Sequence, residues 1–532
     1  MLTFALLNSN KVQNRIIDVV ASQMSKKLQT KVTIGDVDYQ LFNKLKFDDL
    51  YVQDLKGDTL LFVKNATTHF DFFQFFKGKY LFHDIDLNRF NGKIRFDKNG
   101  VTNFNFIVKA FENPKKKKEP SNALLNFKRI KIHDSSMQID YDAFPESKDK
   151  SHFDRRHSVI QHINADMSLD YLKNDSMSAR IHSLSLKEQS GLGIAEMKAV
   201  VHGWKKGFHI PTLKVKMDHS NFEMDSVNMT FDRISDVKDI YNKVKWSGNI
   251  RKSSVSLKDF SCFVANFSNV SEPILIQGKL SGKLSNFRLK NLDLHYNQSV
   301  LFKGNFDFNG VPNIAESFLY ADIQDFQCNG SDVQDLIAQI SGKPFVLPKQ
   351  IVRLGTVKYK GNISGFFSNL VSYGILNTNV GTLKTDVLLK FENKMKDIVF
   401  NGNLKTDHLQ LGQLLNTNTL GDVSFDIDTK GSKKSKKSFQ GEIAANIKNI
   451  FLNKYNYQNI SMNGKYDGIG FDGNMDINDP NFSSNLNGLV DFSKKLPVFN
   501  FDFNVYNVNL NALQLTKKYQ DSQLSFHAAT NL

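Results

Sequence analysis

"FNFDFNVYNVNLNALQL" (499–515) decides the class of fold. Phe499, Phe501, Phe503 and Val505 fall on every second residue, with Asn500, Asp502 and Asn504 between them. A period of two is the spacing of a strand with one apolar face and one face in water. After Val505 the apolar positions shift by one, to Tyr506, Val508 and Leu510, as a β-bulge would require. The same alternation recurs upstream. "NGKIRFDKNG" (91–100) puts Ile94 and Phe96 on one face, and "NFNFIVKAF" (103–111) does so with Phe104, Phe106 and Val108. "KGNFDFNG" (303–310) repeats it with Phe306 and Phe308. Composition agrees: 45 Phe against 2 Trp and 10 Pro in 532 residues means that the apolar content leans on a β-favouring aromatic.

The N-terminus is different. Val12, Ile16, Val19, Val20, Met24 and Leu28 recur at helical spacing, with Lys11, Arg15, Gln23, Lys26 and Lys27 on the other faces. From Thr30 the period changes to two, and Gly35 breaks it. "VDYQLF" (37–42), "KLKFDDLYVQD" (44–54) and "GDTLLFV" (57–63) follow as strands, and "LKGDTL" (55–60) reads as a hairpin turn.

Further along, the chain repeats itself. "GKLSGKLSN" (278–286) returns as "GNISGFFSN" (361–369), 83 residues later. Strands and then a short helical piece follow: "ADIQDFQCNGSDVQDLIAQI" (321–340), "LKTDHLQLGQLL" (404–415) and a third candidate, "VYNVNLNALQL" (505–515). Units of roughly 80 residues describe a quasi-repetitive array. The expected fold class is mainly β. It is an elongated quasi-repetitive antiparallel array forming a trough or solenoid-like body, with one N-terminal amphipathic helix.

A formal net charge of +15 invites a polyanionic partner. Two lysine runs, "ENPKKKKEPSN" (112–122) and "KGSKKSKKSFQ" (430–440), read as loops. They lack zinc-knuckle spacing, an RNA-binding aromatic signature and a recognition helix, so no nucleic-acid partner is expected. Attraction to lipid head groups stays open. Two cysteines, Cys262 and Cys328, make no disulfide framework. No apolar run reaches the ~20 residues of a membrane-spanning helix.

Catalytic signatures are missing: no G-x-S-x-G, H-E-x-x-H, P-loop or Rossmann fingerprint occurs. His133, His152, His157 and His162 lie in one acidic stretch, but their spacing is not that of a helical metal pair. The calcium-like Asp/Asn/Gly turns lack the twelve-residue ligand pattern. Neither an enzyme, a metal nor a cofactor is expected.

The segments "KVQNRIIDVVASQMSKKLQTKVTIGDVDYQLFNKLKFDDLYVQDLKGDTLLFV" and "FNGKIRFDKNGVTNFNF" together resemble the N-terminus of AsmA-like proteins. The likeness is to the large TamB-type members of Bacteroidetes (the inner-membrane component of the translocation and assembly module). "HFDRRHSVIQHINADM" (152–167) and "YNYQNISMNGKYDGIGFDGNMDINDPNFSSNLNGLVDF" (455–492) are similar to further segments of that family. The resemblance implies a periplasmic body anchored in the inner membrane. It also implies phospholipid as ligand and an outer-membrane assembly protein as partner. Family members begin with a complete apolar anchor and continue through further repeats. Here only "LTFALL" precedes the helix and the chain stops at "LSFHAATNL", so it reads as part of a longer protein. The expected organisation is an anchor remnant and helix (1–30), an N-terminal AsmA-like β domain (31–111) and a Lys-rich loop (112–122). A β region (123–277) and repeated β units (278–532) complete it.

A long one-sided sheet cannot leave its apolar face in water. It closes into a solid scaffold, or it forms a groove that acyl chains occupy. A groove is expected to carry an uninterrupted bulky stripe, and a solid core to mix large and small side chains. The groove is the leading expectation, with Phe104, Phe106, Phe306, Phe308, Phe499, Phe501 and Phe503 as its lining. A solid β-solenoid scaffold or adhesin without a lipid path is the alternative.

Overall fold

The computed structural model describes every residue except 1–9, 41–43, 71–81, 112–127, 174, 311–312, 314–315, 394–395, 436, 494–495, 517–522 and 532. The chain is mainly β, with 27 strands among the described residues. It divides into two compact units, Met1–Ile276 and Gln277–Leu532.

Unit 1 opens with the longest helix among the described residues, α1 (Asn10–Leu28). Lys26 and Lys27 sit in its last turn, where the helix dipole favours cations. Gln29 is left-handed (φ 54°), and Thr30 N–H reaches back to Ser25 O at 3.3 Å, which closes the C-terminus in a Schellman motif. The strands follow: β1 (Val32–Thr33), β2 (Asp36–Gln40), β3 (Lys44–Gln53), β4 (Thr59–Phe70) and β5 (Phe82–Phe96). After helix α2 (Asn105–Phe111) come β6 (Arg129–Tyr141), β7 (His157–Lys173), β8 (Ser176–Glu188), β9 (Gly193–Trp204), β10 (Gly207–Lys216), β11 (Asn221–Thr230) and β12 (Lys245–Val255).

Both β1 and β2 pair with β3, and from β3 each strand pairs with the next. All these pairings are antiparallel except β5–β6, which is parallel and is bridged by the connection that carries α2. The predicted β3–β4 hairpin is present. The Asp54 carboxylate accepts from the N–H groups of Lys56 and Asp58, both at 2.9 Å, and so supplies the turn's own hydrogen bonds.

The helix packs Met24 and Leu28 as its sequence suggested, but turns Val19 outward and Ile17 inward. Ile17 and Leu28 are buried and Met24 packs beside Leu28, whereas Val19 is 54% exposed. Residues 17, 24 and 28 share a face, and position 19 lies about 200° round the axis from 17. The side chains of Val12, Ile16 and Val20 lie outside the described set. Ser25 staples the helix end to β1, accepting from Val32 N–H at 3.0 Å and donating to Val32 O at 3.2 Å.

Left-handed residues mark bulges on three strands: Asp134 in β6, His162 in β7 and Ser226 in β11 each coincide with a register shift. Bulges of this kind bend a strand and increase its local twist.

Unit 2 takes in most of β13 (Ile274–Lys283), then β14 (Asn286–Tyr296), β15 (Val300–Asn309) and β16 (Phe318–Asn329), which leads into helix α3 (Gly330–Ser341). A short helix α4 (Lys349–Arg353) precedes β17 (Thr356–Phe366), β18 (Asn369–Thr378), β19 (Gly381–Glu392) and β20 (Asp397–Gln410), which leads into helix α5 (Leu411–Leu415). The last strands are β21 (Leu420–Lys433), β22 (Phe439–Leu452), β23 (Tyr455–Asp467), β24 (Gly470–Asp479), β25 (Phe482–Asp491), β26 (Val498–Asn509) and β27 (Gln523–Asn531). From β14 to β27 each strand is antiparallel to the next, and no pairing among the described residues closes the sheet on itself.

The written repeat is a structural one. Each copy ends a strand and starts the following hairpin, and its glycines adopt matching angles: φ 159° and 156° at Gly278 and Gly361, 114° and 129° at Gly282 and Gly365. At Gly282 and Gly365 a Cβ would collide with a carbonyl oxygen across the turn, that of Asn286 and Asn369 respectively. Only glycine fits there. Each copy opens four strands that end in a helix. The third expected helix is absent: residues 510–514 form a turn, with Leu513 N–H on Asn509 O at 3.0 Å.

Candidate functional site

The Phe candidates fall into two groups. Phe104 and Phe106 do not lie on a strand, because residues 105–111 are α2. Over so short a run the period of two also fits a helix, in which Phe104, Phe106, Ile107 and Ala110 cover one patch. They pack on Leu28, Val32, Val52 and Leu60, where α1 meets the first strands. They are the core of unit 1's N-terminal end, and Val108 is exposed.

Phe306, Phe308, Phe499, Phe501 and Phe503 behave otherwise. Cross-strand register links them, and all stand on one face of unit 2. One row runs Phe306–Ala321–Ile363–Ser372–Val387–Gly402–Thr429. It continues Ile443–Gly464–Gly473–Gly488–Phe501. Phe308 is joined to Phe499 in the same way, through Leu319, Gly365, Leu370, Leu389 and Phe400, then Gly431, Gly441, Tyr466, Phe471 and Val490. A third row joins Gly304 to Phe503 through Leu404, Ala445, Met462, Met475 and Leu486, among others. No charged side chain stands in these rows.

Their hydroxyl groups are turned inward. Ser372 Oγ meets Tyr359 Oη at 2.9 Å, Thr429 Oγ1 donates to Glu442 O at 2.9 Å, and Thr385 Oγ1 donates to Gly374 O at 3.3 Å. The aliphatic residues Ala321, Ala445 and Ile323 are buried, whereas the rings of Phe306, Phe308, Phe400, Phe471, Phe499, Phe501 and Phe503 are only half-buried. Toward β15 the face hollows into a concavity of about 430 Å³ between Phe302, Phe306, Leu319, Phe326, Tyr359 and Leu376.

The stripe is not uninterrupted, contrary to expectation, since glycines interrupt every row. At five of these glycines the reason is visible. Tyr359 lies across Gly361 and Gly374, Phe471 over Gly464, and Tyr466 reaches to Gly431 and Gly441. Glycines let rings lie down on the sheet, and they also permit sharp local bending. At β26 the rings form a ladder: Phe499–Phe501 at 6.0 Å, Phe501–Phe503 at 6.2 Å and Phe503–Phe526 at 6.0 Å, all edge-on.

A bulge follows at 505–508, as the sequence suggested, but Tyr506 is the residue it turns outward. Val505 and Val508 stay inside and close that end of the face with Leu513, Tyr455 and Tyr457. Burial first, and then the Asp479 carboxylate at 2.6 Å from its hydroxyl, raise the Tyr455 phenol above its ordinary value.

The four histidines do not converge. Each faces its own carboxylate: His133 with Asp86, His152 with Asp149, His157 with Asp140 and His162 with Asp134, at 2.9–3.2 Å. Only His157 is buried, its Nε2 held at 3.0 Å by Phe144 O. The second lysine run is shorter as a loop than it reads, because Lys430 and Lys433 belong to β21 and the connection is 434–438. The first run, 112–122, lies outside the described residues, as does "LTFALL". Among the described residues no helix is long and apolar enough to cross a membrane.

Sequence reasoning missed one surface, on the opposite face of β18. Leu370, Val371, Tyr373, Ile375 and Leu376 are apolar on both parities of that strand, so one set must face away from the rows described above. No protein-family model, curated protein or solved structure matches the chain.

Proposed function

We propose that the apolar face of unit 2 is a lipid-handling groove. On this reading the chain is a non-enzymatic, TamB-type envelope-biogenesis protein, periplasmic and anchored in the inner membrane. It conducts phospholipid between membranes or assists outer-membrane protein assembly. The observation that carries the reading is the set of charge-free register rows from β15 to β26 with half-buried rings and inturned hydroxyls. Acyl chains require such a surface: continuous, apolar, and without a polar group that would lose its hydration unpaired.

A solid β scaffold is the second reading, favoured by the mixture of glycine with large rings along each row. Site-specific photo-crosslinking separates the two. Benzoylphenylalanine placed at Phe306 or at Phe501 should each yield a phospholipid adduct, identified by mass spectrometry after expression in a Gram-negative envelope. Adducts at neither position, in protein that is folded, would leave the scaffold reading.

A further inference from the structure

We propose that the connection between β16 and β17, residues 337–353, docks on an anionic lipid bilayer and inserts Phe345 and Val346 into it. This does not require that the apolar rows hold lipid, so either reading can fail without the other. The connection consists of α3, a returning loop and α4. Ser299 Oγ donates to Asp332, and Tyr296 Oη donates to Gln339 at 3.4 Å, so that side of α3 rests against β14 and the turn after it. Ile337 lies about 140–160° round the helix axis from both, and it is exposed, as is Ile340 beside it. Gly342 is left-handed (φ 65°) and turns the chain back along α3, where the Gln334 side chain accepts from Leu347 N–H at 3.0 Å. Between these two points the loop projects, with Phe345 38% and Val346 79% exposed. Ile351 and Val352 on α4 are exposed as well.

Charge decides the occupant. From Leu336 to Thr385 the sequence holds Lys343, Lys349, Arg353, Lys358, Lys360 and Lys384, and no Asp or Glu. The first three belong to the ridge itself, and none of them has an ion pair among the described residues. Arg353 joins α4 to α5, donating to Leu414 O at 3.3 Å, and α5 carries no carboxylate. The two carboxylates of α3 are turned elsewhere: Asp332 meets Ser299, and Asp335 lies about 160° round the axis from Ile337. A second copy of the chain would bring like charges together. An anionic lipid surface attracts a cationic patch of this kind.

The tip is also poor in groups that need water. Of residues 343–348, Pro344 and Pro348 have no N–H. Lys343 N–H meets Ser341 Oγ at 3.4 Å, and Leu347 N–H is held by Gln334. Among the described residues only the N–H groups of Phe345 and Val346 are left without a partner, so little hydration is lost on entering a lipid interface. The strand ends from which the connection springs also border the concavity of about 430 Å³, which Phe326 and Val357 help to line.

Nitrobenzoxadiazole attached at Val346→Cys in the full chain tests this, since its emission brightens and shifts to the blue on leaving water. The two native thiols are buried. The same label at Ile469→Cys, exposed in the β23–β24 turn at the other ends of the strands, is the control. With vesicles of phosphatidylglycerol and phosphatidylcholine the label at 346 should brighten and be quenched by doxyl-labelled lipid, and the label at 469 should do neither. Lys343→Gln/Lys349→Gln should raise the lipid concentration needed for half the response at least about tenfold. Phe345→Ser should weaken the response at unchanged charge and unchanged melting temperature, since the ring is exposed. If the double variant does not fold, salt decides on the chain with its native charges, whose response should fall as sodium chloride is raised. No response at 346, whether or not the chain co-sediments with the vesicles, would overturn the proposal. So would equal responses at 346 and 469, a salt-independent response, or an equal response to phosphatidylcholine alone. A response without lipid that grows with protein concentration would replace the bilayer by a second copy, and a response to polyglutamate but not to vesicles would replace it by an acidic protein.

Discussion

Replacing Phe501 measures how the apolar face is used. A fully enclosed Phe→Ala change costs about 3–5 kcal/mol. Phe501 is half-buried, touches Phe499 and Phe503 edge-on, and faces Gly488 across the strand pair, where no side chain can close the gap. About half the full cost is therefore expected, roughly 2 kcal/mol. In an array whose strands meet only their neighbours, this loss should appear locally instead of as one global transition. Native-state hydrogen exchange is the suitable assay. Amides of 485–491 and 499–505 should exchange about 30-fold faster, since each 1.4 kcal/mol is a factor of ten. Less than a threefold change would mean that the ring makes no contacts worth counting. A loss above about 4 kcal/mol would show an enclosed core, and the groove reading would fail with it. Phe501→Asp extends the test: the chain should stay folded and lose phospholipid adducts, because a carboxylate in an acyl path is costly to desolvate.

Three other outcomes are expected. Gly365→Ala and Gly282→Ala should destabilise their hairpins alike, by about 1–3 kcal/mol each, in thermal melts, since both carry the same strained geometry. The Asp149 carboxyl is held down to about 2 by the Ser151 hydroxyl first, then by the Ser151 N–H and the His152 ring. Its folded value lies below the ordinary one, so any support this turn gives is complete above about pH 4 and fades as pH falls toward 2. Ser151→Ala should raise that carboxyl toward the usual range in an NMR titration, with the residue-151 N–H and the His152 ring still holding it below. Burial raises both cysteine thiols, Cys262 and Cys328, so Ellman's reagent at pH 8 should label neither until denaturant is added.

Much of this architecture is legible in the residues, and the failures have physical causes. Period-two runs such as 499–505 and the 55–60 turn predict the right strands because each strand has one wet face. "NFNFIVKAF" misleads because both periods fit so short a run and tertiary contact with Leu28 and Leu60 decides for a helix. Val19 and Ile17 are equally apolar, and only the docking direction of α1 distinguishes them. The candidate face was half legible. Alternation identifies which rings share a side of one strand, but not that Phe306 and Phe501 occupy one row eleven strands apart, which is a matter of register. The strip around Tyr373 escaped because apolar residues on both parities look like a buried strand, whereas here one side is exposed.

The pairing of every strand from β14 onward with its immediate neighbour has a kinetic consequence. All-β domains fold slowly when partners lie far apart in the chain, since long loops must close before contacts repay the entropy lost. Here most new strands need only a hairpin and the longest connection, between β16 and β17, spans residues 330–355, so the sheet's partners stay close in the chain despite its size. It can form by zippering, in the order in which the ribosome delivers it. At each moment the newest strand presents an unpaired edge that could recruit a foreign chain, and the next strand is the first to arrive and cover it.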